Sequence, residues 1–432
     1  MDTEFSRPVT AVIVGGGHRS IIYGDYSFEH PDELKIVGIA DPNRERCLYA
    51  AKRYGFSTDM CFSSAEELAS HPKMADAIIN GTMDHQHFAT SVPLLRLGYH
   101  MLLEKPFAVD EDEMREILTI CRENSSRVMI GHVLRYSPFY TDIRRRIKSG
   151  ELGEILNIQM SEHVSYHHLT NSYVRGKWAN SQISKTSMLL AKSCHDIDLM
   201  AWLMSEDKPV SVSSFGAQTQ FVPGKAPEGA ADRCVRDNCP YLETCNYSSK
   251  RIYLDYERWT PYVWQQIEGI EDPTYEQKLA CLTGDNDYDR CVYKCDNNVV
   301  DRQSLLVNFA SGATGTHNMI GGTARSVRKI HVIGTLAELE GAMEDGKITI
   351  RRVNPSVGCG FDEETLTAIE DAGGHGGGDE LLTRDFIRFV RTGETSISTT
   401  AIEDSVYGHL IIFRADKSRE NGGKVMPLDF EY

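Results

Sequence analysis

Three glycines mark the first chemistry in this chain. Val9 to Val14 is a short β-branched run, and Gly15-Gly16-Gly17-His18-Arg19-Ser20 follows it. Gly15 would permit a tight turn. Gly17, without a Cβ, would let a pyrophosphate approach the backbone, and the next helix would offer it free N–H groups and a positive dipole end. Ser20 stands where the G-x-G-x-x-G pattern has its third glycine, and it is small enough for close packing. The next apolar run, Lys35 to Ala40, ends at Asp41, the region where an acid accepts hydrogen bonds from ribose hydroxyls. Together these features point to a dinucleotide. Asp41 would repel a 2′-phosphate, which favours NAD; Arg19 and Arg44 keep NADP as the alternative. Two more loops lie at strand ends, Asn80 to His87 and Glu104-Lys105-Pro106. Lys105 closes a buried apolar strand on the side where a nicotinamide ring belongs.

A second group sits on a helix-like stretch, Ser187 to Met204, which is largely apolar. Lys192, His195 and Asp198 recur every three residues and so share one side. A charged stripe on a buried helix must be paired, hydrated in a cleft, or functional. A third group is Cys234, Cys239 and Cys245, with Cys291 and Cys295 further on. Their spacing is looser than that of ordinary zinc ribbons. The polar stretch around them needs a staple, and four thiolates from Cys234, Cys239, Cys245 and Cys291 around structural zinc would supply one. Free thiols are the other reading.

These groups need elements to hold them. Strand signals at Val9–Val14, Lys35–Ala40, Ala75–Asn80, Tyr99–Leu103 and Arg127–Val133 alternate with helix signals at Pro42–Tyr54, His85–Leu97 and Asp110–Glu123. Asp110 and Glu113 resemble a capping box. Apolar strands separated by helices predict a parallel, doubly wound α/β sheet, a Rossmann domain over residues 1–133. Beyond it, strands at Ile155–Val164, Arg328–Ile333 and Lys347–Val353, a hairpin over Gln303–Ile320 and a helix over Glu380–Val390 predict an α+β domain (134–432) on a large open, mainly antiparallel sheet. Residues 223–297 read as an insertion.

The chain has 432 residues, a formal net charge of −16 and 11 cysteines. That acidity argues against nucleic-acid or anionic-membrane partners. Met1–Thr10 lacks the pattern of a signal peptide, and no apolar run reaches membrane-spanning length. The expectation is a cytoplasmic protein with reduced thiols, and an open sheet implies a homodimer or homotetramer.

With these residues in view, the sequence resembles the glucose–fructose oxidoreductase / inositol dehydrogenase / MocA family of NAD(P)-dependent oxidoreductases over nearly its whole length. The resemblance rests on Val14 to Arg19, Ala40-Asp41, Asn80-Gly81-Thr82 with His87, Glu104-Lys105-Pro106 and His195-Asp196-Ile197-Asp198. Leu190 to Asp196, Cys291 to Gln303 and Gly374 to Asp379 look like one subgroup. The resemblance implies that Lys105 is a catalytic-site residue and that His195 is the acid/base. It also implies a cofactor site of Gly15, Gly17, His18, Arg19, Ser20, Asp41, Thr82, His87, Glu104 and Lys105. Many members carry an aspartate four residues before the histidine. Here that position is Ala191, beside Lys192, so the resemblance does not set the substrate.

Oxidising an alcohol needs a base for the hydroxyl proton as hydride leaves, and histidine titrates near neutrality. The expected roles are His195 as base, with Lys105 holding the oxygen and Lys192 sharing or taking that role. Candidates for binding a carbohydrate or polyol are Arg135, Tyr136, His163, Trp178, Asp196, Asp198 and His375, with His132 and Lys177 beside them. The leading expectation is a dehydrogenase for a sugar, sugar acid or inositol. The alternatives are a redox-neutral NAD-dependent glycoside hydrolase and a non-catalytic NAD-sensing regulatory protein.

Overall fold

The strands predicted near the N-terminus form one parallel sheet. In a computed structural model describing residues 7–260, 262–367 and 377–431, this sheet has six strands in the order β3-β2-β1-β4-β5-β6. They are β1 (Val9–Val14), β2 (Leu34–Ala40), β3 (Cys61–Phe62), β4 (Ala77–Asn80), β5 (His100–Leu103) and β6 (Val128–Ile130). β1, β4, β5 and β6 are almost wholly buried, which is why they read as unbroken apolar runs. Their order reverses between β1 and β4, so a crevice opens beyond their carboxyl ends. Helices α1 (His18–Glu29), α2 (Arg44–Tyr54), α3 (His87–Arg96) and α4 (Glu111–Glu123) connect them. Asp110 caps α4 through the Asp112 and Glu113 N–H groups, while the Glu113 carboxylate accepts from Val109 rather than closing the box on Asp110.

After α5 (Pro138–Lys148) the chain builds a nine-stranded sheet, ordered β14-β13-β12-β11-β7-β10-β9-β8-β15. These strands are β7 (Ile155–Ser165), β8 (Pro209–Ala217), β9 (Arg302–Phe309), β10 (Thr314–Thr323), β11 (Val327–Gly334), β12 (Ala337–Ala342), β13 (Lys347–Val353), β14 (Phe361–Thr367) and β15 (Met426–Pro427). All neighbours are antiparallel except β7 and β10. One face carries α6 (Cys194–Leu203), preceded by a π-helical turn over Leu189–Ser193, and α8 (Val406–Glu420). The sequence expectation of a single helix over Ser187–Met204 thus gives way to two elements. Among the described residues no helix is long and apolar enough to cross a membrane.

The chain also returns to its first sheet. Leu382, Phe386, Ile387 and Val390 of α7 (Gly378–Thr392) share a core with Val9, Ala11, Ile13, Ala77 and Ile79. Thr400 exchanges bonds with Ile130 along β6, and Ala401 bridges Met129. The sequence reading places this segment with the second domain, and its apolar side packs on the first sheet.

One buried pair holds α6 to this junction. The Arg135 guanidinium grips the Asp198 carboxylate at 2.5 and 2.7 Å and also donates to the Thr399 and Asp404 carbonyls. Truncating one partner of such a pair strands the other charge. Arg135→Ala should therefore cost about 3–5 kcal/mol of stability in urea unfolding, and Arg135→Met/Asp198→Leu should recover most of it. A double variant no more stable than the single one would show that the pair itself, not the stranded charge, carries the stability.

Candidate active site

The opening glycine loop is shaped for a phosphate. Gly15 has φ +78°, and a Cβ there would meet Thr82 at 2.9 Å, so this position requires glycine. At Gly17 a Cβ would find only the Gly81 carbonyl at 3.9 Å. The space above Gly17 is therefore open, at the start of a helix whose first turn has neither a side-chain cap nor an acid. Unsatisfied N–H groups with no local anion suit a pyrophosphate. Ser20 packs against Gly81, where a Cβ on that glycine would lie 2.2 Å from its Oγ, so the small residue is needed for close approach. The buried Asp41 carboxylate accepts from Gly16 N and Asn43 N, both at 2.7 Å, and keeps acceptor capacity for ribose hydroxyls. His18 is exposed on the first turn of α1. These residues fit a dinucleotide.

Arg19 turns away from the ribose end. It donates to Glu104 at 2.8 Å, to Tyr23 at 2.5 Å and to Asp379 on α7 at 2.6 Å. This commitment removes it as a 2′-phosphate ligand. Burial opposes the Glu104 charge, but Arg19 and Lys105 hold its carboxyl down at about 2. Thr82 anchors its loop through Asn80, and the His87 ring spans the Thr82 and Pro106 carbonyls at 3.0 and 2.6 Å. His87 and Glu104 therefore position the turn that follows β5. The Lys105–Pro106 peptide is cis, and His409 of α8 accepts from Phe107 N at 3.2 Å.

Lys105 reaches from that turn to the second sheet's helices. Its ammonium donates to the Ala191 carbonyl at 3.3 Å, one helical turn before His195. Burial opposes its charge, yet Cys194, Glu104 and Asp84 keep its pKa above the ordinary lysine value. The Cys194 thiol is itself pushed up to about 12 by burial, so at neutral pH the carboxylates do this work. His195 lies edge-on to His132, with centroids 5.8 Å apart. Burial, then Arg135 and Lys105, drives the His132 pKa well down, so this neighbour stays neutral.

Lys192 faces a different partner. It pairs with Glu162 of β7 at 2.8 Å. Arg328 of β11 bonds the same carboxylate at 2.5 Å and lies 3.2 Å from Asp196. Burial and the Glu162 charge raise the Asp196 pKa strongly; burial opposes the Glu162 charge, but Arg328 and Lys192 lower its pKa. Burial and the Arg328 charge lower the Lys192 pKa despite Glu162.

The structure brings Lys105, His132 and His195 together, with Trp178 at the cleft wall donating to Asp84 at 2.8 Å. The other predicted sugar contacts are committed elsewhere. Asp198 lies 3.6 Å from His132 Nε2 but is gripped by Arg135, Asp196 lies beside Arg328, and Tyr136 donates to Asp385 at 2.7 Å. His163 alternates with the buried Glu162 and Val164, so it stands on the sheet's other face, near Lys329 and Arg325. His375 lies outside the described residues. Sequence reasoning missed Glu162, Arg328, His168, Trp259 and Tyr262, and made no use of Asp84. His168 stacks on Trp259 at 3.9 Å, and Tyr262 meets Trp178 at 5.7 Å. Only Glu162 carried a signal, as a charge on the apolar side of a strand.

The cysteine stretch departs from expectation. Cys234, Cys239, Cys245 and Cys291 do line one cavity. Among the described residues, however, no three His, Cys, Asp or Glu side chains form a metal-holding set. The buried Arg175 guanidinium occupies this centre, 3.7 Å from Cys234 Sγ and bonded to the Arg290 and Tyr247 carbonyls. Burial raises the Cys245 and Cys291 pKa values, against the lowering effect of the Arg175 charge. With no metal-holding set among the described residues and a fixed cation beside the thiols, the zinc expectation is not supported. The staple is Asp289, whose carboxylate accepts from Val235 N, Arg236 N and Ser249 Oγ.

The chain is similar to known proteins over most of its length. The "Oxidoreductase family, NAD-binding Rossmann fold" model matches residues 9–132, and the "Oxidoreductase family, C-terminal alpha/beta domain" model matches residues 144–427. The chain is 22% identical to a putative oxidoreductase, YteT, of Bacillus subtilis (strain 168), over 81% of each chain. It is 24% identical to an inositol 2-dehydrogenase of Corynebacterium glutamicum (strain R), over 46% of this chain and 55% of that one. Its fold matches a levoglucosan dehydrogenase in complex with NADH and levoglucosan, with a TM-score of 0.71 and 15% identity over 98% of this chain and 100% of that one.

The open space at Gly17 carries a prediction. Its φ of −79° suits any L-residue, so Gly17→Val should fold normally and yet fill the phosphate cradle. We expect the Kd for NADH to rise at least about tenfold, a loss of about 1.4 kcal/mol. The melting temperature should move by no more than about 2 °C. Unchanged NADH affinity, read by fluorescence titration, would place the phosphates elsewhere.

Proposed function

We propose that this chain, which belongs to the Gfo/Idh/MocA oxidoreductase family, oxidises a CH–OH group of a sugar, sugar acid or inositol. The observation that carries the reading is the reach of Lys105, from the turn beside the glycine loop to the carbonyl one turn before His195. On this reading a charged donor and an imidazole share one cleft. The similarity to an inositol 2-dehydrogenase and a levoglucosan dehydrogenase supports the substrate class.

NAD, when bound, supplies the hydride acceptor. Gly15, Gly17 and the first turn of α1 hold its phosphates, and Asp41 its ribose. Lys105 keeps its charge through Glu104 and Asp84 and binds the reacting hydroxyl, stabilising negative charge as it grows on that oxygen. His195 takes the hydroxyl proton. A neutral His132 at its edge adds no repulsion against the imidazolium that forms. Lys192, fixed by Glu162, lends positive charge to the wall, and Trp178 lends an apolar ring face to a sugar's C–H groups. The outer sheet face exposes Phe215, Leu306 and Ile320, a surface suited to a homo-oligomer.

The reading is tested by His195→Ala. Turnover with NAD on a panel of sugars, sugar acids and inositols should fall by about 10²–10⁴-fold, with NADH affinity unchanged. Wild-type-like turnover would remove His195 from the mechanism. Sugar release from a glycoside without net NADH would replace the dehydrogenase reading with the redox-neutral hydrolase.

A further inference from the structure

The insertion reaches the nucleotide-binding sheet. Glu268, deep in the 223–297 segment, holds the Arg46 guanidinium with two bonds of 3.1 and 3.2 Å. Arg46 sits in the first turn of α2, and its Cβ lies 3.5 Å from where a Cβ on Gly16 would stand. The contact therefore closes over the glycine loop at the Asp41 end. Six residues earlier, Tyr262 lies where the charges of Lys105, Glu104, Arg19 and Asp84 all act on its phenol. The Lys177 ammonium sits 4.7 Å above its ring, and Trp178 packs on it while bonding Asp84 at the end of β4. One short segment thus touches the glycine-loop end and the lysine end of the same crevice.

Its shape is preset. Trp259 has φ +50°, a left-handed conformation that a bulky side chain adopts only where its surroundings impose it. Those surroundings are His168, stacked on the ring, and Asn171, which donates to the Trp259 carbonyl at 2.9 Å. Asn286 holds the Val263 carbonyl at 3.1 Å. Ile252, Tyr253, Leu254, Val263, Leu282 and Tyr288 give the insertion a core of its own.

We infer that this segment is a strap across the dinucleotide crevice, with Tyr262 as its roof and Glu268–Arg46 as its latch, and that it slows release of the dinucleotide between turnovers. The inference rests on the NAD reading above. Both latch side chains are partly exposed, so the pair is weak enough to open. Glu268 and Tyr262 are positioning residues; neither is assigned a part in the chemistry.

The test is the rate of NADH release from the holoenzyme, followed by stopped-flow fluorescence with excess NAD⁺ as trap. Glu268→Ala and Arg46→Glu should each release NADH about fivefold faster than wild type. The charge-reversed pair, Arg46→Glu/Glu268→Arg, should return to within about twofold of wild type. Tyr262→Ala should also release faster. Glu268 is well exposed, so its loss leaves folding intact, and a melting curve verifies this. Release from Glu268→Ala at the wild-type rate, with NADH still bound, would overturn the strap. Faster release from Arg46→Glu that the reversed pair does not rescue would also overturn it, and would make Arg46 a direct cofactor contact. If wild-type protein binds no NADH, the dinucleotide reading fails first and the strap falls with it.

Discussion

A buried ammonium stays charged only where carboxylates surround it, and much of this molecule is arranged around that need at Lys105. Glu104 and Asp84 meet the lysine's requirement. Glu104 then needs its own partners and finds them in Arg19 and Tyr23. Arg19 in turn binds Asp379, contributed by a helix from the far end of the sequence. Each charge is bearable because the next is in place. This chain of obligations ties the glycine-loop helix, the turn after β5 and the C-terminal segment into one rigid frame. A site assembled this way is preorganised for chemistry on oxygen, because its charges cannot relax toward solvent.

Much of that frame was legible beforehand, for local reasons. Buried parallel strands are continuous apolar runs, and glycines, Asp41 and the Glu-Lys-Pro turn fall where those runs end. What stayed hidden was pairing. Nothing near Arg135 announces Asp198, and a spacing of three made Lys192 and Asp198 look like one stripe. A π-helical turn at Leu189–Ser193 and two distant partners send them to different neighbours. His163 illustrates a different lapse. Its strand alternates with period two, and Ile158, Met160 and Val164 already mark the buried side, so its outward placement could have been read. The weak strands β8 and β12, rich in serine, glycine and glutamate, carry little apolar signal of their own and exist by pairing with stronger neighbours.

The insertion teaches the opposite lesson. A polar composition suggested a segment in need of a staple, with zinc and free thiols as the two readings. Aromatic residues far apart in sequence, Tyr253 and Tyr288 among them, instead meet to form a small core beneath it. A buried arginine and a buried aspartate then do the stapling that thiolates would have done. Average hydropathy does not register such a core, since a few large rings bury as much surface as many small aliphatic groups.

The return of Leu382, Phe386 and Val390 to the first sheet has a bearing on how the protein is made. During synthesis the nucleotide-binding domain leaves the ribosome early, but part of one greasy flank of its sheet stays bare until nearly the whole polypeptide has emerged. The nascent domain must wait, partly clothed, and is open to wrong associations in the meantime. A fragment cut after β6 would inherit that nakedness for good, so this nucleotide binder is no detachable module.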